Sequence, residues 1–105
     1  MLKVKNMIST RSGRTVANQF DIVSDNAGVI SEYAFQSYGS LCASLSRTEN
    51  GLYRLTIYRD GFYSRTTAKY LRTWLNDHIN PERVPDVLKA AKEAINAGAE
   101  KWETE

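Results

Sequence analysis

Tyr63-Ser64-Arg65-Thr66-Thr67-Ala68-Lys69-Tyr70 marks the point where this chain changes period. Before it, apolar residues recur at every second position; after it, they recur at spacings of three and four. Ser64 or Thr66 is suited to cap the incoming helix, because a hydroxyl there accepts from amides that the first turn leaves unpaired. Tyr70, Leu71, Trp74, Leu75 and His78 then form one apolar stripe, with Lys69, Arg72, Thr73 and Asn76 on the opposite face. Asn80-Pro81 ends this helix, since the residue before a proline is driven out of the α region. The spacing predicts helices over 64–79 and 84–98, the second opened by Pro85 and closed by Gly98. Val84, Val87, Leu88, Ala91 and Ile95 make its stripe.

Upstream, residues 16–62 read as sheet. Val16 to Val23 alternates, with Phe20 and Ile22 expected inward and Gln19 and Asp21 outward. Asp25-Asn26-Ala27-Gly28 supplies a turn, and Val29, Tyr33 and Phe35 alternate with Glu32 and Gln36 beyond it. After a bend at Gly39, Leu41, Ala43 and Leu45 alternate with Cys42, Ser44 and Ser46, the most regular strand pattern in the chain. Asn50-Gly51 is a hairpin signal, because both residues tolerate the left-handed geometry of a type I′ turn. The return strand points Tyr53, Leu55 and Ile57 one way and Arg54, Thr56 and Tyr58 the other. The expected architecture is α+β: an antiparallel β-meander of about four strands packed on two C-terminal helices. It forms a single domain over 1–105, with 1–15 a mobile arm and 99–105 a frayed acidic tail that Trp102 can anchor.

Composition narrows the class. The 105 residues are 42% hydrophobic and 25% charged, which fits one modest globular core. No apolar run approaches the roughly 20 residues that span a bilayer. The cationic start, Met1 to Ile8, lacks the long apolar stretch of a secretory signal, so the expected location is the cytoplasm. Cys42 is the only cysteine, which excludes an internal disulfide and a cysteine cluster for zinc. The net charge of +2 is unevenly divided: residues 1–20 and 47–72 each sum to +4, while 21–46 and 73–105 each sum to −3. Counts alone favour a solvated surface; the basic segments become a phosphate-attracting patch only if the fold brings cations together.

Three runs stand out: Val16-Ala17-Asn18-Gln19-Phe20; Phe35-Gln36-Ser37-Tyr38-Gly39-Ser40 with Ala43 after it; and Tyr63-Ser64-Arg65-Thr66-Thr67 with Lys69 and Tyr70 following. In that order they resemble a family of short, mostly uncharacterised proteins of phages and mobile elements. The likeness runs from Met7 to Leu75. It implies a phage or prophage accessory protein and supplies no activity.

Catalysis finds little support. His78 is the sole histidine and has no partner spaced to meet it; capping or ring packing accounts for it better than acid–base work. Cys42 has no histidine on a neighbouring motif, and the glycines fall one to a turn without forming a phosphate-cradling loop. The expectation is therefore a non-enzymatic binding module without cofactor, metal or small-molecule substrate. Its expected contact set is Arg54, Tyr58, Arg59, Arg65, Lys69 and Arg72, with Gln19, Gln36, Ser44 and Thr56 on the same open sheet face. Nucleic acid or a host nucleoprotein complex is the expected partner. The alternative is a protein–protein inhibitor of a host defence system, anti-CRISPR-like in mode. An uncovered edge strand leaves monomer and homodimer both open.

Overall fold

The computed structural model describes residues 2–9, 11–26, 29–48 and 50–105. It is an α+β fold in which one antiparallel sheet carries two helices on a single face. The strands are β1 (Leu2–Ile8), β2 (Thr15–Asn26), β3 (Val29–Ser37), β4 (Ser40–Arg47), β5 (Tyr53–Tyr58) and β6 (Lys101–Thr104). They lie side by side in chain order, every neighbouring pair antiparallel. Between β5 and β6 the chain makes a 3₁₀ turn (Arg59–Phe62), α1 (Arg65–His78), a second 3₁₀ turn (Pro81–Arg83) and α2 (Val84–Asn96).

Two segments differ from their expected states. Leu2–Ile8 is an edge strand rather than a mobile arm: Lys3, Val4 and Lys5 pair with Val23, Ile22 and Asp21, and Met7 reaches the core. Lys101–Thr104 is likewise a strand rather than a frayed tail, pairing Trp102 with Ile57 and Thr104 with Leu55. The meander therefore has six strands among the described residues, because β5 would otherwise present unpaired amides along its outer edge. Of the turn expected over Asp25-Asn26-Ala27-Gly28, Asp25 and Asn26 belong to β2 and pair with Ile30 and Val29, while Ala27 and Gly28 lie outside the described residues.

Residues pointing to the helices make the core. Phe35, Cys42, Ala43, Ile57, Leu71, Trp74, Leu75 and Ala91 are wholly buried, with Leu45, Leu55, Tyr70, Val84 and Val87 close to it. Each large side chain among them contributes about 1.5–3 kcal/mol by leaving water. Ser64 caps α1, its side-chain oxygen accepting from the Thr67 amide at 3.1 Å.

Side-chain parity departs from expectation in two strands. In β2 the order is reversed: Asp21 stands opposite Phe35 and meets the helices, Gln19 is fully buried, and Phe20 and Ile22 face the open side. A shift of one residue flips every side chain of a strand. In β4 the pairing steps from Phe35↔Ala43 to Gln36↔Leu41, so Cys42 is the extra residue of a bulge and is buried, while Leu41 is exposed. No described helix is long and apolar enough to cross a membrane.

Candidate functional site

The six residues expected to form one contact surface occupy two. Arg54 and Tyr58 belong to β5 on the sheet face away from the helices, and Arg59 follows at the strand end. Acids in β6 and on either side of it pair with these cations. The Arg54 guanidinium lies 3.3 Å from Glu105 and 4.0 Å from Glu103, and Arg59 lies 3.3 Å from Glu100. Lys101 donates to Glu103 at 2.9 Å, and that hydrogen bond is the main reason the carboxyl is held below its usual range. These acids belong to the segment read as a frayed tail, so their proximity to β5 was not expected.

Arg65, Lys69 and Arg72 remain together. They fall at i, i+4 and i+7 on the exposed side of α1, and among the described residues none has a carboxylate within ion-pair distance. Lys69 additionally stands 5.4 Å from the Tyr70 ring centroid. The three cations line a shallow depression with Ala68, Thr73 and Asn76. Arg72 and Ala68 are shared with a neighbouring groove of about 390 Å³, whose apolar floor of Phe62, Pro85 and Leu88 is edged by Lys89 and Lys92 of α2. The outer face of the helix layer thus carries five cations beside apolar surface.

At the start of α1 the three quoted sequence runs converge. Tyr38 and Gly39 form the tip of the β3–β4 hairpin with φ of 52° and 89°, the geometry of a type I′ turn. The Tyr38 amide donates to the Asn18 carbonyl at 2.8 Å, and Asn18 also has positive φ, 65°. Gln19 pairs in register with Ser37. The Ser37 and Thr67 hydroxyls lie 2.9 Å apart, and the Ser64 hydroxyl donates to Thr67 Oγ1 at 3.1 Å. Above them opens a pocket of about 340 Å³ lined by Ser37, Tyr38, Ser40, Asp60, Tyr63 and Thr67.

The chain matches the model of a family of unknown function, DUF8033, over residues 2–89. It belongs to that family. No curated protein and no solved structure gives a match. The DUF8033 span contains all three runs, the polar pocket and the whole of α1; the end of α2 and β6 lie beyond it.

Within the same DUF8033 span, His78 does have a partner. Its Nε2 is 3.3 Å from Asp21, which also accepts from the Trp74 indole N–H at 3.1 Å. Tyr33 and Trp74 hold the imidazole from two sides, with ring centroids at 4.6 and 4.7 Å. No described serine, threonine or cysteine is hydrogen-bonded to it. Cys42 donates to the Ser40 carbonyl at 3.4 Å, and burial pushes its thiol up to about 11, so it is protonated at neutral pH. No described cluster of three or more His, Cys, Asp or Glu is arranged to hold a metal.

Proposed function

We propose that this protein is a non-enzymatic binding module that holds nucleic acid, free or within a nucleoprotein complex, against the outer face of its two helices. The observation that carries this reading is the contrast between its cations. Arg54 and Arg59 are paired by the chain's own acids, whereas Arg65, Lys69 and Arg72 stand in one row without a described carboxylate partner. Over seven residues of helix that row extends about 10 Å, and Lys89 and Lys92 widen it. Cations presented in this way attract phosphates whatever the base sequence. The resemblance of the three runs to phage and mobile-element proteins supports an accessory role in the cytoplasm of a host cell.

The test is a fluorescence-anisotropy titration with single- and double-stranded DNA and RNA at two salt concentrations. Five phosphate contacts on a single strand give a log–log salt slope of about −3.5, and Lys69→Glu with Arg72→Glu abolishes binding without unfolding the chain. Flat curves at low salt overturn the reading and leave an anti-defence inhibitor, which would use the same face on a protein, as its replacement.

A further inference from the structure

We propose that the pocket between the β3–β4 hairpin tip and the start of α1 takes one unpaired base of a single-stranded nucleic acid, whose backbone continues onto the helical cations. The inference rests on the reading above and adds a base-recognition site to it. At about 340 Å³ the pocket stands at the small end of ligand sites, which run from about 300 to 1,000 Å³, and suits a nucleoside-sized group rather than a larger cofactor.

Its lining matches a base. The hydroxyls of Ser37, Ser40 and Thr67 each offer one donor and two acceptor positions; the Ser37–Thr67 and Ser64–Thr67 bonds use part of this capacity, and Ser40 keeps its own. Asp60 supplies an acceptor for base N–H groups and has no described ion-pair partner. The same carboxylate repels phosphate, so the neutral base is the part of a nucleotide that enters. Two aromatic rings stand at the rim in water: Tyr38 is 63% exposed and Tyr63 is 84% exposed. Neither ring is explained by core packing, and an exposed tyrosine offers a stacking face to any base.

The pocket also connects to the cation row. Tyr63 lines the pocket, and Arg65, two residues later, opens the row. Two residues of chain reach at most about 7 Å. A base held beside Tyr63 therefore leaves its neighbouring phosphates next to Arg65, with Lys69 further along.

The experiment compares the full-length protein with Tyr63→Ala, Tyr63→Phe and the Lys69→Glu/Arg72→Glu double variant. The probes are short fluorescein-labelled oligo-dT, oligo-rU and an abasic strand of equal length. Removing one stacking ring is expected to weaken Tyr63→Ala on both base-bearing strands by about 5- to 150-fold, while Tyr63→Phe binds like the wild type. The abasic strand is expected to bind the wild type and Tyr63→Ala equally. If Tyr63→Ala holds the base-bearing strands as tightly as the wild type, while the double variant loses them, the pocket is overturned and the cation face survives. An equal loss on the abasic strand also overturns the pocket, since Tyr63 would then be reading backbone. Failure of the wild type to bind any strand overturns both readings.

Discussion

The side-chain oxygens of Ser37 and Thr67 meet at 2.9 Å in a buried position, joining the last residue of β3 to the first turn of α1. This bond fixes where the helix begins relative to the hairpin tip. It therefore fixes the shape of the pocket above it. Removing either hydroxyl leaves the other buried with a weaker set of partners, which costs about 1–3 kcal/mol. Ser37→Ala and Thr67→Val should each destabilise by that amount in urea unfolding, and the double variant should lose less than their sum. Strict additivity would show that the two hydroxyls do not act as a pair.

Gln19 gives the opposite expectation. It is fully buried on the helix side of β2, and neither amide atom has a hydrogen-bond partner among the described residues. An unsatisfied buried amide destabilises by about 1–3 kcal/mol. Gln19→Met, similar in shape and free of polar hydrogens, should raise the urea midpoint at unchanged slope. A lowered midpoint would mean that the amide is hydrogen-bonded in solution.

How far the sequence could be read depends on how local each signal is. α1 was legible because its cap and its stripe of Tyr70, Leu71, Trp74 and Leu75 lie within one window. The β4–β5 hairpin was legible from Asn50-Gly51, but its turn type was not. The Thr48 amide donates to the Leu52 carbonyl and the Gly51 amide to the Thr48 carbonyl, so the loop is longer than the two-residue type I′ form, with Gly51 at φ 81° closing it. The parity of β2 was not legible, because Phe20 and Ile22 are the bulkiest apolar residues of their strand and pointed inward on local pattern alone. The deciding contacts are distant: Asp21 meets Trp74 across 53 residues. β6 escaped notice because Lys101–Thr104 is short and charged, and becomes a strand only by pairing with β5. The contact set fared similarly. The cation row on α1 follows from helical spacing, whereas the neutralisation of Arg54 depends on acids 49 and 51 positions away. The polar pocket was present only as three quoted runs, since no single run shows that Asn18, Ser37 and Thr67 converge.

Asp21 carries a stability prediction of its own. It accepts from the indole of the fully buried Trp74 and lies beside His78. Asp21→Ala leaves the indole N–H without an acceptor and should cost about 3 kcal/mol. Asp21→Asn keeps a carbonyl oxygen at the same place and should cost clearly less. Equal losses in thermal unfolding would show that the charge beside His78 and Lys5, rather than the acceptor for Trp74, is what the site needs.

Cys42 makes stability fall in alkali. Burial raises its thiol from an ordinary 9.0 to about 11, so between these values the folded chain keeps a proton that the unfolded chain releases. The stabilisation is therefore complete below pH 9 and is lost as pH rises towards 11, by an amount on the order of 3 kcal/mol. Cys42→Ala should flatten that part of the pH–stability curve relative to the wild type. The native thiol should also resist iodoacetamide at pH 8 and react on addition of urea. Rapid labelling of the folded protein would contradict the buried placement.

Tyr38 joins stability to binding. With φ at 52° it occupies a backbone region that a tyrosine adopts only under constraint, at position two of a turn for which Asn-Gly is the preferred pair. Its ring is mostly exposed, so little buried surface is lost when it is replaced. Tyr38→Asn should therefore stabilise the fold by about 1 kcal/mol, a rise in Tm of about 4–8 °C for a domain of this size. The same variant removes one of the two rings at the pocket rim and should weaken binding of oligo-dT relative to the abasic strand. A gain in stability together with a loss of base-dependent affinity is the pattern of a residue kept for contact at the expense of the turn. A stabilised variant with unchanged affinity would remove Tyr38 from the site and leave Tyr63 to hold the base alone.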